Sequence, residues 1–569
     1  ASIDLITTCV TAEEIFDQRL GLEFVRYVLP QVSRASLLRW CAELLGFYEA
    51  LGASRKAIDK ALVEHWQFRE PVAERLRTEL RNNRTLVTPQ AILLLAQFAL
   101  VLCPDEGPKD AEVPRFAVLA FAVQDALGQQ RDEREKPEDH TFSGATASTL
   151  FREVISNQDF NAWTDEGTLL ARHHLHWEKL PAEAQDRPGR VDLVELFEEA
   201  TGVSKDIFTA VGTAIWAAVE VHRRYPLAIS DLGLLRLERA EIAAALKLFA
   251  ATPEDLAAGI TNRAARLHTE WSFDVLRRYP VVRLDDENMI VLSKRLLLQR
   301  IFGWVPMFDL ITGLKAQGRD AEAARADNWF RAMCEIDALT SLRNIMPHAG
   351  GARRMYEEAQ IQAAFGTAAP NADAALDYGN AWVVSEVSTR HLTRDSIVVG
   401  DAEALARDFQ LGIEKKVEQI DTTVRGLMED ESRLTGYTAV PRRRYVAMLI
   451  VTEGFPTNPM TRITIRERLK ARGLLTDARI GPLHILDQEE LNMAEAMVEQ
   501  GGPSLLQLLE EHERSNLRGS GFKDWLIMER GTRPGRPKRI EGPYERAWRP
   551  VLDRVREAMG DGENVETGR

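Results

Sequence analysis

The chain has 569 residues, enough for two to four domains of roughly 100 to 200 residues each, so a single small module is excluded. Hydrophobic residues make up 45% and charged residues 28%, the balance of a folded globular protein and not of a disordered or fibrous one. A formal charge of -14 excludes a uniformly basic surface built for nonspecific nucleic-acid binding and leaves room only for local basic patches.

The beginning of the chain, Ala1 to Val10, lacks the basic region of a signal peptide. From Thr11 to about Leu267 apolar residues recur three and four apart, as in Leu37, Leu38, Cys41, Leu44 and Leu45, which predicts amphipathic helices. Ala91 to Cys103, the strongest apolar run, is interrupted by Gln97 and is too short to span a bilayer, so it reads as a buried helix with no membrane partner. Cys9, Cys41, Cys103 and Cys334 form no CxxC pair, which argues for reduced thiols and a cytoplasmic location. His173, His174 and His176 lack metal-ligand spacing and read as packed or solvated side chains. Gln129 to His140, dense in charge, reads as a loop.

Near Tyr279 the pattern changes: Val281 to Leu284 and Met289 to Leu292 flank the polar turn Asp285 to Asn288, a short β-hairpin. Helical spacing resumes at Lys294, and Gly350-Gly351 opens a further helix through Phe365. Beyond it the expected strands are Ala374 to Gly379, Ala381 to Ser388, Tyr445 to Thr452 and Pro482 to Leu486, with main helices at about 402 to 427 and 461 to 472. Asp487 and Glu490 have capping-box spacing before a helix from Gln488 to Glu499. The expected fold is therefore mixed α+β, a long all-α region followed by an α/β core with a central mixed sheet. Its divisions are 1–267 helical, 268–344 connecting, 345–515 α/β core, and 516–569 a basic tail, extended or mobile unless a partner orders it.

The hairpin of the core carries the chemistry. Gly379-Asn380 fits a two-residue type II′ turn, in which glycine supplies the positive φ. Counting outward from Tyr378 opposite Ala381 pairs Asp377 with Trp382, Ala375 with Val384, and Asp373 with Glu386. Two carboxylates on directly opposed residues are close enough to share one Mg²⁺ or Mn²⁺, and without a cation they repel.

Asp373, Glu386 and the apolar strand around Glu386 resemble the PD-(D/E)xK nuclease superfamily over about 140 residues. The resemblance implies a restriction-endonuclease-like core and a metal-dependent phosphodiesterase acting on nucleic acid, DNA before RNA. In that superfamily the aspartate and the glutamate hold Mg²⁺, and a lysine two residues after the glutamate positions or activates the attacking water. Here that position is Ser388, which cannot carry the charge. Some members place the lysine on the following helix, where this chain has Lys415 and Lys416. Helix phase sets Lys416 about 45° from the centre of the stripe formed by Leu405, Phe409, Ile413, Val417, Ile420 and Val424, and turns Lys415 away. Lys416 either reaches the carboxylates or snorkels from the edge of the stripe.

Glu357 resembles the glutamate of the superfamily's first helix, although Met355, Tyr356, Ala359 and Ala363 define a buried face opposite to it. Asp377 is the fallback ligand, and Arg442, Arg443 and Arg444 are candidate phosphate contacts. The resemblance also suggests a bacterial antiviral-defence setting, with the helical region binding other protein subunits or substrate. A second reading, favoured by Ser388 and the acidic charge, is a catalytically silent scaffold or nucleic-acid-binding subunit. No GxxxxGK[ST], GxGxxG or GxSxG element occurs to anchor an ATPase, dinucleotide or α/β-hydrolase reading.

Overall fold

The computed structural model describes residues 9–546 apart from 50–54, 106–109, 111, 135–153, 156–157, 159, 161–165, 223–225, 236, 265–271, 347–353, 369, 400 and 452–454. The chain is mixed α and β and forms two compact units that are not consecutive stretches of sequence. One comprises 2–141, 194–323 and 548–569, and the other 142–193 and 324–547. The linear division expected from composition therefore does not match the units. No helix among the described residues is long and apolar enough to cross a membrane.

The first unit is mostly helical, as the three- and four-residue spacing predicts. Its apolar helix α1 (Pro89–Leu102) starts at Thr88, whose hydroxyl accepts from the Ala91 amide, and buries Ile92, Leu95, Ala96, Ala99 and Leu100 completely. The expected hairpin is present as β3 (Val281–Arg283) and β4 (Asn288–Val291), turned by Asp285, whose Oδ1 accepts from the Glu287 and Asn288 amides. Two strands too short to show any alternation, β1 (Leu227–Ala228) and β2 (Ala250–Ala251), complete a sheet of order β1-β4-β3-β2. That pairing ties the hairpin, expected in a connecting region, to the helical unit. The charged segment expected to loop out at Gln129 to His140 is helical as far as Arg134, and its remainder lies outside the described residues.

In the second unit, five strands form a sheet of order β5-β6-β7-β8-β9. They are β5 (Arg354–Glu357), β6 (Ala374–Asp377), β7 (Ala381–Ser388), β8 (Arg444–Val451) and β9 (His484–Asp487). β5, β6 and β7 run antiparallel, whereas β7, β8 and β9 are parallel. Strand β5 corrects the helix expected from Gly350-Gly351. Residues 350–353 lie outside the described set, 354–357 pair with β6, and the helix is confined to Glu358–Phe365. Four residues with two apolar neighbours, Met355 and Tyr356, satisfy either period, and pairing with β6 decides between them.

Helices cover both faces, which is why β7 and β8 are buried almost throughout and read as continuous apolar runs. On one face lie α2 (Asp320–Ile345), α7 (Gln488–Glu499), α8 (Leu505–Arg514) and α9 (Phe522–Met528), packed on Leu376, Val383, Val387, Met448 and Ile450. On the other lie α3 (Glu358–Phe365), α4 (Ala402–Phe409), α5 (Lys415–Asp430) and α6 (Pro459–Ala471). The capping box expected at α7 is formed: Asp487 accepts from the Glu490 amide at 2.8 Å, and Glu490 from the Asp487 amide at 3.0 Å.

Of the basic tail, residues 516–546 are described, and Arg539 is held by side chains of its own chain. Arg539 donates to Glu495 at 2.8 Å and to Asn492 at 2.7 Å and pairs with Asp337.

Candidate active site

The site is built by the turn at Gly379. Its φ of +82° is open to glycine and costly for other residues, and the Tyr378 amide donates to the Ala381 carbonyl at 3.0 Å. The register is the one the turn predicts, with Asp377 opposite Trp382 and Ala375 opposite Val384. One step beyond the last ladder pair, Asp373 and Glu386 meet. The Asp373 amide donates to Glu386 Oε2 at 2.9 Å, and the Val387 amide donates to Asp373 Oδ2 at 2.7 Å. Both carboxylates are therefore gripped by backbone as well as juxtaposed, with Glu386 0% and Asp373 8% exposed.

Lys416 completes the group, donating from Nζ to Glu386 Oε1 at 2.6 Å, whereas Lys415 is exposed. The turn before it, Gln410–Glu414, is π-helical and joins α4 to α5 without a break. The expected stripe is formed, with Phe409, Ile413, Val417, Ile420 and Val424 buried, Leu405 partly so, and Lys416 half-buried beside it.

Electrostatically the group is short of positive charge. Burial, and then the neighbouring Asp373 carboxylate, push the Glu386 carboxyl well above the usual range against the pull of Lys416. Burial also raises Asp373, against the Val387 amide and Lys416. Burial pulls the Lys416 ammonium down, but Glu386 outweighs it and the net direction is up. Glu335 of α2, which sequence reasoning missed, adds a third carboxyl to this field, raised first by burial and next by Asp373. Its only sequence signal is its position, three and seven residues before the buried Ala338 and Leu342 on one helix face.

Other expected residues are placed elsewhere. Ser388 shares the face of Glu386 and is 2% exposed. Glu357 ends β5 and caps α3, and both of its oxygens accept from Arg343, at 2.7 and 2.8 Å, so it is not brought to the carboxylate pair. The buried face expected there is also corrected, since Ala359 and Ala363 are exposed and Ile361 and Ala364 buried. Asp377 is no spare ligand. It accepts from Arg443 at 2.8 Å; the same guanidinium lies 3.3 Å from Glu431 and over the Trp382 ring, and Trp382 Nε1 donates to Glu431 at 2.8 Å. Arg443 is thus a buried structural cation and not a phosphate contact. Arg444 pairs with Glu510, and Arg442 is exposed.

Among the described residues no group of three or more His, Cys, Asp or Glu is placed to hold a metal ion. Mg²⁺ needs no such cage: it is held by one or two carboxylates, with water and phosphate oxygens completing the shell. Two opposed carboxylates with one lysine between them and neutrality fit that donor set.

No protein-family model, curated protein or solved structure matches the chain.

Proposed function

We propose that the chain is a Mg²⁺- or Mn²⁺-dependent nuclease that hydrolyses phosphodiesters of DNA, with a core of the PD-(D/E)xK, restriction-endonuclease-like type. The observation that carries the reading is the juxtaposition of Asp373, Glu386 and Lys416, three groups brought together from the residue before β6, from β7 and from α5. The order of the sheet, an antiparallel meander followed by two parallel strands, supports it.

Asp373 and Glu386 would hold the cation. When bound, it supplies charge neutralisation for the phosphoryl group and makes water easier to deprotonate. Lys416 takes the part that Ser388 cannot, keeping an ammonium beside Glu386 that can orient water or steady charge on the scissile phosphate. The helical unit would serve to bind substrate or partner subunits, and antiviral defence is a setting that suits such a layout.

A second reading, a nuclease-like scaffold without catalysis, is favoured by Ser388 and by the complete burial of Glu386. The two are separated by incubating single- and double-stranded DNA with the full chain in Mg²⁺, Mn²⁺ or EDTA. The proposal expects cleavage with either metal and none in EDTA. Intact DNA under all three conditions, with the protein folded, supports the scaffold.

A further inference from the structure

Cys334 and Asp337 lie three residues apart on α2, and the imidazole of His176 sits between their side chains. His176 Nδ1 is 3.7 Å from Cys334 Sγ, and its Nε2 is 3.0 Å from Asp337 Oδ2. We propose that Cys334 is a nucleophilic thiol served by His176 as proton carrier and Asp337 as positioning residue, and that its co-reactant is a small peroxide.

The arrangement has the parts that activate a weak nucleophile: a thiol, a base within reach of its proton, and a carboxylate fixing the base. With Nε2–H donating to Asp337, the Nδ1 lone pair faces the sulfur. Asp337 is fully buried, its second oxygen engages Arg539, and Arg172 also acts on it electrostatically. Against burial, Arg539, then the His176 hydrogen bond and charge, and then Arg172 hold its carboxyl well below the usual range, so it stays charged beside the ring. Burial pulls the His176 ring down, but Cys334 and the Asp337 hydrogen bond outweigh it and bring it up to about 9, the direction that favours the ring once it has taken the thiol proton. Cys334 and Asp337 act on the ring directly, Arg539 and Arg172 act on Asp337, and Arg539 is itself tied to Glu495.

Geometry also selects the reactant. Cys334 is only partly exposed, and His176 is 9% exposed with Phe330 in T-shaped contact at 5.7 Å between centroids, so the reactant must be small. The thiol proton passes to Nδ1 and the sulfur attacks one peroxide oxygen. An S–O bond forms as the O–O bond breaks, and the departing hydroxide takes the Nδ1 proton. The sum is thiol plus hydrogen peroxide giving sulfenic acid plus water, with sulfur oxidised by two electrons and the peroxide reduced. The other cysteines serve as internal controls: burial raises the thiols of Cys41 and Cys103, the latter to about 12, and Cys9 is partly exposed like Cys334.

The test treats the native full chain with hydrogen peroxide, traps sulfenic acid with dimedone, and quantifies each cysteine by peptide mass spectrometry. Cys334 is expected to react at least tenfold faster than Cys9 and than N-acetylcysteine at pH 7, with a flatter rate profile from pH 6 to 8. His176→Asn and Asp337→Asn, checked for folding by circular dichroism, should each slow Cys334 at least tenfold. His176→Asn should also restore the roughly tenfold-per-unit pH dependence of an ordinary thiol below its pKa. If neither variant folds, the wild-type rates and profile still decide. A Cys334 rate no greater than that of Cys9 or N-acetylcysteine, or one unchanged in folded His176→Asn, overturns the proposal. Neither result depends on nuclease activity.

Discussion

Replacing Lys416 with methionine keeps the aliphatic stem and removes only the ammonium. At 2.6 Å the pair with Glu386 has a gross Coulomb energy of about 6 kcal/mol at an effective dielectric of roughly 20. Most of this offsets desolvation, because Glu386 is fully buried while Lys416 keeps 30% of its side chain in water. Glu386 can also limit the loss by taking up a proton. The net cost is therefore about 2–3 kcal/mol at pH 8, toward the low end of what breaking a buried pair costs. The pH dependence has a definite sign. The Glu386 carboxyl is already raised above the ordinary glutamate value of 4.5, so the folded state holds its proton more tightly than the unfolded state does. A group of this kind contributes stability that is complete below about 4.5 and is lost as pH rises through the folded value. Removing Lys416 raises the folded value further, so the penalty grows as pH rises through the wild-type folded value and falls under about 1 kcal/mol near pH 5, below it. Urea unfolding of wild type and Lys416→Met at pH 5 and pH 8, in EDTA, measures it. An equal cost at both pH values would show that the stem and not the charge matters, and would refute the electrostatic reading of the site.

Divalent metal should raise the melting temperature of the wild type by roughly 5–10 °C at a hundredfold excess over Kd, since such binding contributes about 2.7 kcal/mol. Asp373→Asn or Glu386→Gln should lose most of that shift, and differential scanning fluorimetry with and without Mg²⁺ checks it. Arg443→Met should destabilise by about 3–5 kcal/mol in urea, because Asp377 and Glu431 are left buried without their cation, whereas Arg442→Ala should change stability by under about 0.5 kcal/mol. Gly379→Ala, forced to a φ of +82°, should cost about 1 kcal/mol and weaken the register that aligns Asp373 with Glu386.

Much of the site was legible because a two-residue turn leaves register no freedom. Gly379-Asn380 alone determines which residue faces Glu386, and the alternation of a strand determines that Ser388 shares its face. Lys416 was half legible, since amphipathic phase set it about 45° from the centre of the buried stripe but left open whether its ammonium meets Glu386 or snorkels to water. Other features depend on tertiary partners. Arg443 looked like one of three equivalent arginines until Asp377 and Glu431 were seen to enclose it, and Glu357 had Arg343 as its partner, on another helix. Strands β1 and β2 have two residues each, too few for any periodicity, and exist because the β3–β4 hairpin offers edges to pair with. The meeting of His176 with Cys334, 158 positions apart, has no local signature at all.

The most direct test of nuclease function is the cleavage of DNA by purified wild-type protein beside Glu386→Ala, Lys416→Met and Lys415→Ala, each confirmed as folded, in Mg²⁺ and in Mn²⁺. Wild type and Lys415→Ala should cut at similar rates, Lys416→Met should fall at least a hundredfold, and Glu386→Ala should be inactive. Undiminished cutting by folded Glu386→Ala would contradict the assignment of the site, and no cutting by the wild type with either metal would contradict the nuclease itself.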